Sequence, residues 1–131
     1  MLKGTFPVEK FKQLSTPFYY YDVKLLQDTL DVVKTESGKY GYHVHYAVKA
    51  NANPRILSII AANGLGADCV RGGEVQAALD AGFPADKIVF AGVGKADWEI
   101  NLGWTMIFSA LTWNPPLSWK LSMSWRPPRI K

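Results

Sequence analysis

A chain of 131 residues, 48% hydrophobic and with a mean hydropathy of -0.04, has the length and composition of a globular domain, not of a disordered tail or a membrane bundle. Its formal net charge of +4 does not describe a basic binding surface: residues 1–99 hold eleven Lys or Arg against eleven Asp or Glu, and the excess is Lys120, Arg126, Arg129 and Lys131. One cysteine, Cys69, excludes an internal disulfide and a CxxC metal motif, and the start MLKGTFPVEKFKQL has no secretory apolar region, so a reducing, cytoplasmic setting is expected.

PFYYYD, residues 17–22, is aromatic-rich and reads as a strand. Asp22 then caps a helix whose apolar positions Leu25, Leu26, Leu30 and Val33 recur at helical spacing and which stops near Gly38. YHVHYAVKAN is the next strand, with His43, His45, Ala47 and Lys49 on one face and Tyr46 and Val48 on the other. Asn53 and Pro54 supply an N-cap and a first-turn proline for a helix that ends at Gly64. LGADCV is a short strand, GGEVQAALDAG a helix closed by Gly82, and KIVFAG another strand. Strands recurring about every twenty residues with helices between them predict an α/β fold with a parallel sheet, either a (β/α) barrel or an open doubly wound sheet.

Both architectures place chemistry at the carboxyl ends of their strands, where Lys49, the segment from Asp68 to Glu74, and Gly92 to Lys95 all fall. On its own, Lys49 has two readings: an amine reaching solvent along its stem, or a desolvated amine at a barrel mouth, able to form a Schiff base. The nucleotide motifs fail: GVGK is followed by Ala96 where a Walker loop needs Ser or Thr, and the GxG at Gly64 and Gly66 has Cys69 at its third glycine position. His43 and His45 lack a third metal ligand in the sequence and read as packed or hydrogen-bonded groups, and Cys69 as a small buried residue. Asp68 ends its strand, and Glu74 sits in a first helical turn, where a carboxylate also serves the helix dipole.

The segments YYYD, HYAVKANANP and GLGADCVRGGEVQAALDAGFPADKIVFAGVGKADWEI together resemble the amino-terminal part of the diaminopimelate decarboxylases, pyridoxal-phosphate (PLP) enzymes of the alanine-racemase-like barrel type. The likeness runs from about Thr5 to Leu102; YAVKAN is shared with relatives that decarboxylate ornithine, arginine or carboxynorspermidine, and with non-catalytic PLP-binding barrel proteins. It implies a partial (β/α)8 barrel holding the first three or four strands, with Lys49 carrying PLP as a Schiff base, Asp68 beside the lysine and cofactor ring, and Glu74 in the adjacent wall. It further implies a small amino-acid substrate, meso-diaminopimelate going to L-lysine and carbon dioxide, no nucleic-acid or membrane partner, and a homodimer for the full-length family. Arg71 departs from the small hydroxyl residue usual before GGE and is expected to crowd the site.

The resemblance stops at Gly103. The segment 103–131 has two Pro-Pro pairs and four tryptophans, Trp104, Trp113, Trp119 and Trp125, and no clean amphipathic period. As a purposeful tail it would be an aromatic, basic membrane or nucleic-acid binder. Read one base out of step, with permitted codons throughout, the segment from Trp104 becomes LDNDIFCFNVESTAELEVINELAAAKNK, with a strand, a capping box and an amphipathic helix. That string also resembles the next segment of the family's sequences. The expectation is therefore a native body over 1–102 and a frame-shifted, non-native tail over 103–131, running to a chance stop after Lys131. A complete barrel needs about 250 residues, so this chain is expected to be inactive alone.

Overall fold

The computed structural model describes residues 4–92, 96–105 and 110–111. In chain order the elements are α1 (Val8–Phe11), α2 (Val23–Gly38), β1 (His45–Ala47), α3 (Pro54–Ala62), β2 (Gly66–Cys69), α4 (Gly72–Asp80), β3 (Ile88–Phe90), α5 (Asp97–Thr105) and β4 (Ala110–Leu111), with single 3-10 turns at Val48–Ala50 and Ala85–Lys87.

The expected strand at 17–22 does not form. Its aromatic rings instead close a small cluster over α1, with Phe18 and Tyr20 packed 5.4 and 4.9 Å from the Phe11 ring, and the Tyr20 hydroxyl donating to the Thr5 carbonyl at 2.7 Å. Ring packing and a tether to the amino-terminal arm take the place of a strand ladder.

The helices begin and end as their capping residues dictate. Asp22 Oδ1 accepts from the Leu25 amide at 2.9 Å, and its Oδ2 from Thr5 at 2.6 Å, so one carboxylate starts α2 and holds the arm. Those two amides, Thr5 first, hold the Asp22 pKa below its ordinary value. Asn53 Oδ1 accepts from the Arg55 amide at 3.0 Å and opens α3. At the end of α4 the chain turns through Gly82 at φ +95°, and the Phe83 amide reaches back to the Ala78 carbonyl at 3.1 Å, a conformation that glycine adopts without strain.

The four strands are all parallel and lie in the order β1-β2-β3-β4, each beside its predecessor in sequence. An open doubly wound sheet reverses direction at a switch point; uninterrupted order is the winding of a barrel wall. The register pairs Ala47 with Asp68, Asp68 with Val89 and Val89 with Ala110, so these residues share one face of the sheet. The opposite face carries Tyr46, Ala67, Cys69, Ile88 and Phe90, and packs with Leu57, Ile60, Val75 and Ala78 of α3 and α4 into the core. Phe90, Leu57, Ile60 and Ile88 are fully buried, each contributing about 1.5–3 kcal/mol of transfer free energy.

Gly66 has a steric reason. The His45 imidazole lies across it, and a β-carbon there would overlap both that ring and the Lys87 carbonyl. The boundary expected at Leu102 and Gly103 falls inside α5, and β4 lies beyond it; the rest of the expected tail, apart from residues 103–105, is outside the described residues. No helix among the described residues is long and apolar enough to cross a membrane.

Candidate functional site

Lys49 is not on β1 as its alternation suggests. The strand ends at Ala47, and a 3-10 turn over Val48–Ala50 follows, closed by the Asn51 amide on the Val48 carbonyl at 3.1 Å. The turn drives Val48 fully into the core and leaves Lys49 exposed, so strand parity does not govern the lysine. The turn is braced from its far end: the Tyr46 hydroxyl donates to the Asn51 carbonyl and the Asn51 side-chain amide to the Tyr21 hydroxyl, both at 3.3 Å. Asn51 Oδ1 accepts from the Asn53 amide at 2.9 Å, tying the same turn to the start of α3.

Asp68, on the neighbouring strand, pairs with Ala47, two residues before Lys49, and lies on the face away from the helices. Its Oδ1 is buried and has no hydrogen-bond partner among the described residues. A buried carboxylate oxygen left without a donor is costly, and it is the feature expected where a donor is supplied by a bound group or a mobile side chain.

Beyond β2 the chain turns through Val70 and Arg71 into α4. Glu74 is half-buried in the first turn, and its Oε2 accepts from the Val70 amide at 2.8 Å, which fixes the carboxylate over the loop. Arg71 is the N-cap residue of α4, yet its side chain makes no cap and is exposed. The cap comes from elsewhere: Glu99 of α5 is buried, and its Oε1 accepts from the Gly72 amide at 2.6 Å while its Oε2 accepts from Ala96 at 2.8 Å. Sequence reasoning missed Glu99, and the only local signal is a Glu at the third position of α5, where such residues reach back to the N-cap amide.

Cys69 is buried behind this loop, and burial, then the charges of Glu74 and Asp68, push its thiol up to about 12. It is a packed residue, not a nucleophile. His45 lies over Gly66. With Val33, Lys34, His43, Asp86 and Lys87 it also lines a cleft of about 620 Å³ at the amino ends of the strands, the end away from Lys49. Of GVGK, only Gly92 is described.

Lys49, Asp68 and Glu74 thus all stand at the carboxyl ends of β1 and β2. They offer an accessible primary amine, a buried carboxylate oxygen awaiting a donor, and a second carboxylate held by the backbone. That donor set suits an aldehyde cofactor joined to a lysine.

The chain is similar to known proteins in sequence and in fold. A family model described as the pyridoxal binding domain of pyridoxal-dependent decarboxylases matches residues 25–106. A diaminopimelate decarboxylase of Bacteroides thetaiotaomicron is 68% identical over 103 residues, covering 78% of this chain and 27% of the relative. One from Helicobacter pylori is 48% identical over 94 residues, 71% of this chain and 23% of its own length. The crystal structure of Helicobacter pylori diaminopimelate decarboxylase complexed with L-lysine superposes with a TM-score of 0.73 at 39% identity, covering 82% of this chain and 27% of that one. The chain spans about a quarter of the length of these relatives, and its four parallel strands are part of a barrel wall. It belongs to the pyridoxal-dependent decarboxylases, through their pyridoxal binding domain.

Proposed function

We propose that this chain is the amino-terminal part of a diaminopimelate decarboxylase, with Lys49 the cofactor lysine and Asp68 and Glu74 its neighbours at the site. The observation that carries the reading is the 68% identity to a diaminopimelate decarboxylase, which spans the strand ends holding all three residues. When bound, PLP supplies the electron sink that lets the Cα–carboxylate bond break and carbon dioxide leave, a proton then taking the vacated position at Cα. The chain's own residues do the rest. The Lys49 amine would hold the cofactor covalently and release it to the substrate amine. Asp68 Oδ1, buried without a partner among the described residues, would accept a hydrogen bond there. Glu74, anchored on the Val70 amide, keeps the wall of the mouth in place.

The same reading makes residues from Gly103 onward the product of a one-base shift of frame. What supports this is the string LDNDIFCFNVESTAELEVINELAAAKNK of the alternative frame, which has a strand, a capping box and an amphipathic helix. The frame-restored protein is a cytoplasmic homodimer under this proposal.

The test is to restore one base near the Leu102 codon, purify the product and measure carbon dioxide release. Release from meso-diaminopimelate with L-lysine as product supports the reading; release only from ornithine, arginine or carboxynorspermidine reassigns the substrate. Tight PLP binding with no release from any of them makes this a binding protein and overturns the enzymatic reading.

A further inference from the structure

The loop between β2 and α4 joins two of the proposed site residues, Asp68 and Glu74, and its amide groups point at the start of a helix whose own N-cap residue caps nothing. An unsatisfied first-turn amide leaves such a loop free to fray. Here the Val70 amide is taken by Glu74 and the Gly72 amide by Glu99, 27 residues further along the chain. The second carboxylate oxygen of Glu99 takes the Ala96 amide at the start of α5, so one buried anion sits at the amino ends of two helices, where both dipoles favour it. Gly72 leaves room for this seam: a β-carbon there would overlap the Trp98 ring and press on Glu99 Cγ.

We propose that Glu99 is a positioning residue of the PLP site, clamping the start of α5 at Ala96 onto the β2–α4 loop at Gly72 so that Asp68 and Glu74 keep a fixed relation to Lys49. The inference rests on the functional reading for its consequence, and on the two amide bonds for its mechanism. Under this proposal Glu99 acts through the Gly72 amide it holds. Removing the charge while keeping the shape, in Glu99→Gln, leaves one of the two amides facing an NH2 group and removes a charge-assisted bond from the other.

Two readouts on the 131-residue chain decide it, the first without cofactor. In Glu99→Gln, hydrogen exchange at the Gly72 and Ala96 amides should quicken roughly tenfold or more, the size of one lost charged hydrogen bond, with Leu57 and Ile60 of α3 unchanged. With PLP added and the adduct trapped by borohydride, the yield at Lys49 should fall several-fold relative to the parent chain. Gly72→Ala attacks the same seam from the other side and should give the same local pattern. Unchanged exchange at Gly72, or exchange that rises equally through α2 and α3 in both variants, overturns the clamp. Faster exchange at Gly72 with an unchanged Lys49 yield reduces Glu99 to a structural cap and overturns the positioning role. A parent chain that takes no PLP at Lys49 counts against the functional reading instead, and the exchange at Gly72 still judges the clamp.

Discussion

Cys69 illustrates how closely charge and packing are set around the candidate site. It is fully buried, faces α3 and α4, and has Asp68 before it on the strand and Glu74 on the next helix, so burial and two carboxylates oppose its ionisation. A thiol held near 12 when folded and near 9.0 when exposed favours the folded state below pH 9, and that contribution is lost as pH rises from 9.0 toward 12. The native chain at pH 8 should therefore resist a thiol-specific reagent for as long as it stays folded, and react at once in denaturant. Rapid labelling of the native chain would contradict the burial and charge assigned to Cys69. The buried, inert character of this residue was legible in the sequence, because a lone cysteine between strand residues is usually packing material. The turn that directs Lys49 outward was not legible, because it exists to bury Val48, and burial is decided by α3 and α4 rather than by the residues of the turn.

At the scale of elements, caps and periodicity carried most of the information. Asp22, Asn53, Pro54, Gly64 and Gly82 mark the ends of α2, α3 and α4 through hydrogen bonds that their own side chains or backbones make, so local sequence sufficed. The aromatic run at 17–22 misled because strand propensity measures fit to a pleated, half-buried surface, and here the rings found that surface on α1 instead. The Glu99 cap was invisible for the opposite reason: its partner amide lies in another unit of the chain. That long-range cap also predicts what the exposed Arg71 costs. With φ -142° and ψ 153° it has the extended backbone of an N-cap but no side-chain acceptor, so Arg71→Ser should add a first-turn bond to α4. Thermal unfolding should show a gain of about 1 kcal/mol, because Glu99 takes the Gly72 amide and an N-cap serine reaches the amides after it; no gain would mean that those amides have no use for a side-chain cap.

Across the whole molecule, the sheet is the informative object. Its order β1-β2-β3-β4 builds one side of a barrel, with helices covering one face and Ala47, Asp68 and Val89 on the other, only half-buried. The outer edges of β1 and β4 have no strand neighbour among the described residues, the arrangement that invites pairing between chains. The βαβ repeat predicted a parallel sheet without choosing between a barrel and an open sheet, the family resemblance implied the partial barrel, and the match over residues 25–106 assigns the chain to a family. What the sheet offers chemically is the cluster at its carboxyl end, and its proposed role stands or falls on Lys49. The most direct measurement is to incubate the chain with PLP, reduce with borohydride, and map the modified lysine by peptide mass spectrometry. Label should concentrate on the peptide containing Lys49, be abolished by Lys49→Ala and be diminished by Asp68→Asn. Label spread over Lys24, Lys34 and Lys39 as readily as Lys49, and unaltered by either substitution, would contradict that role.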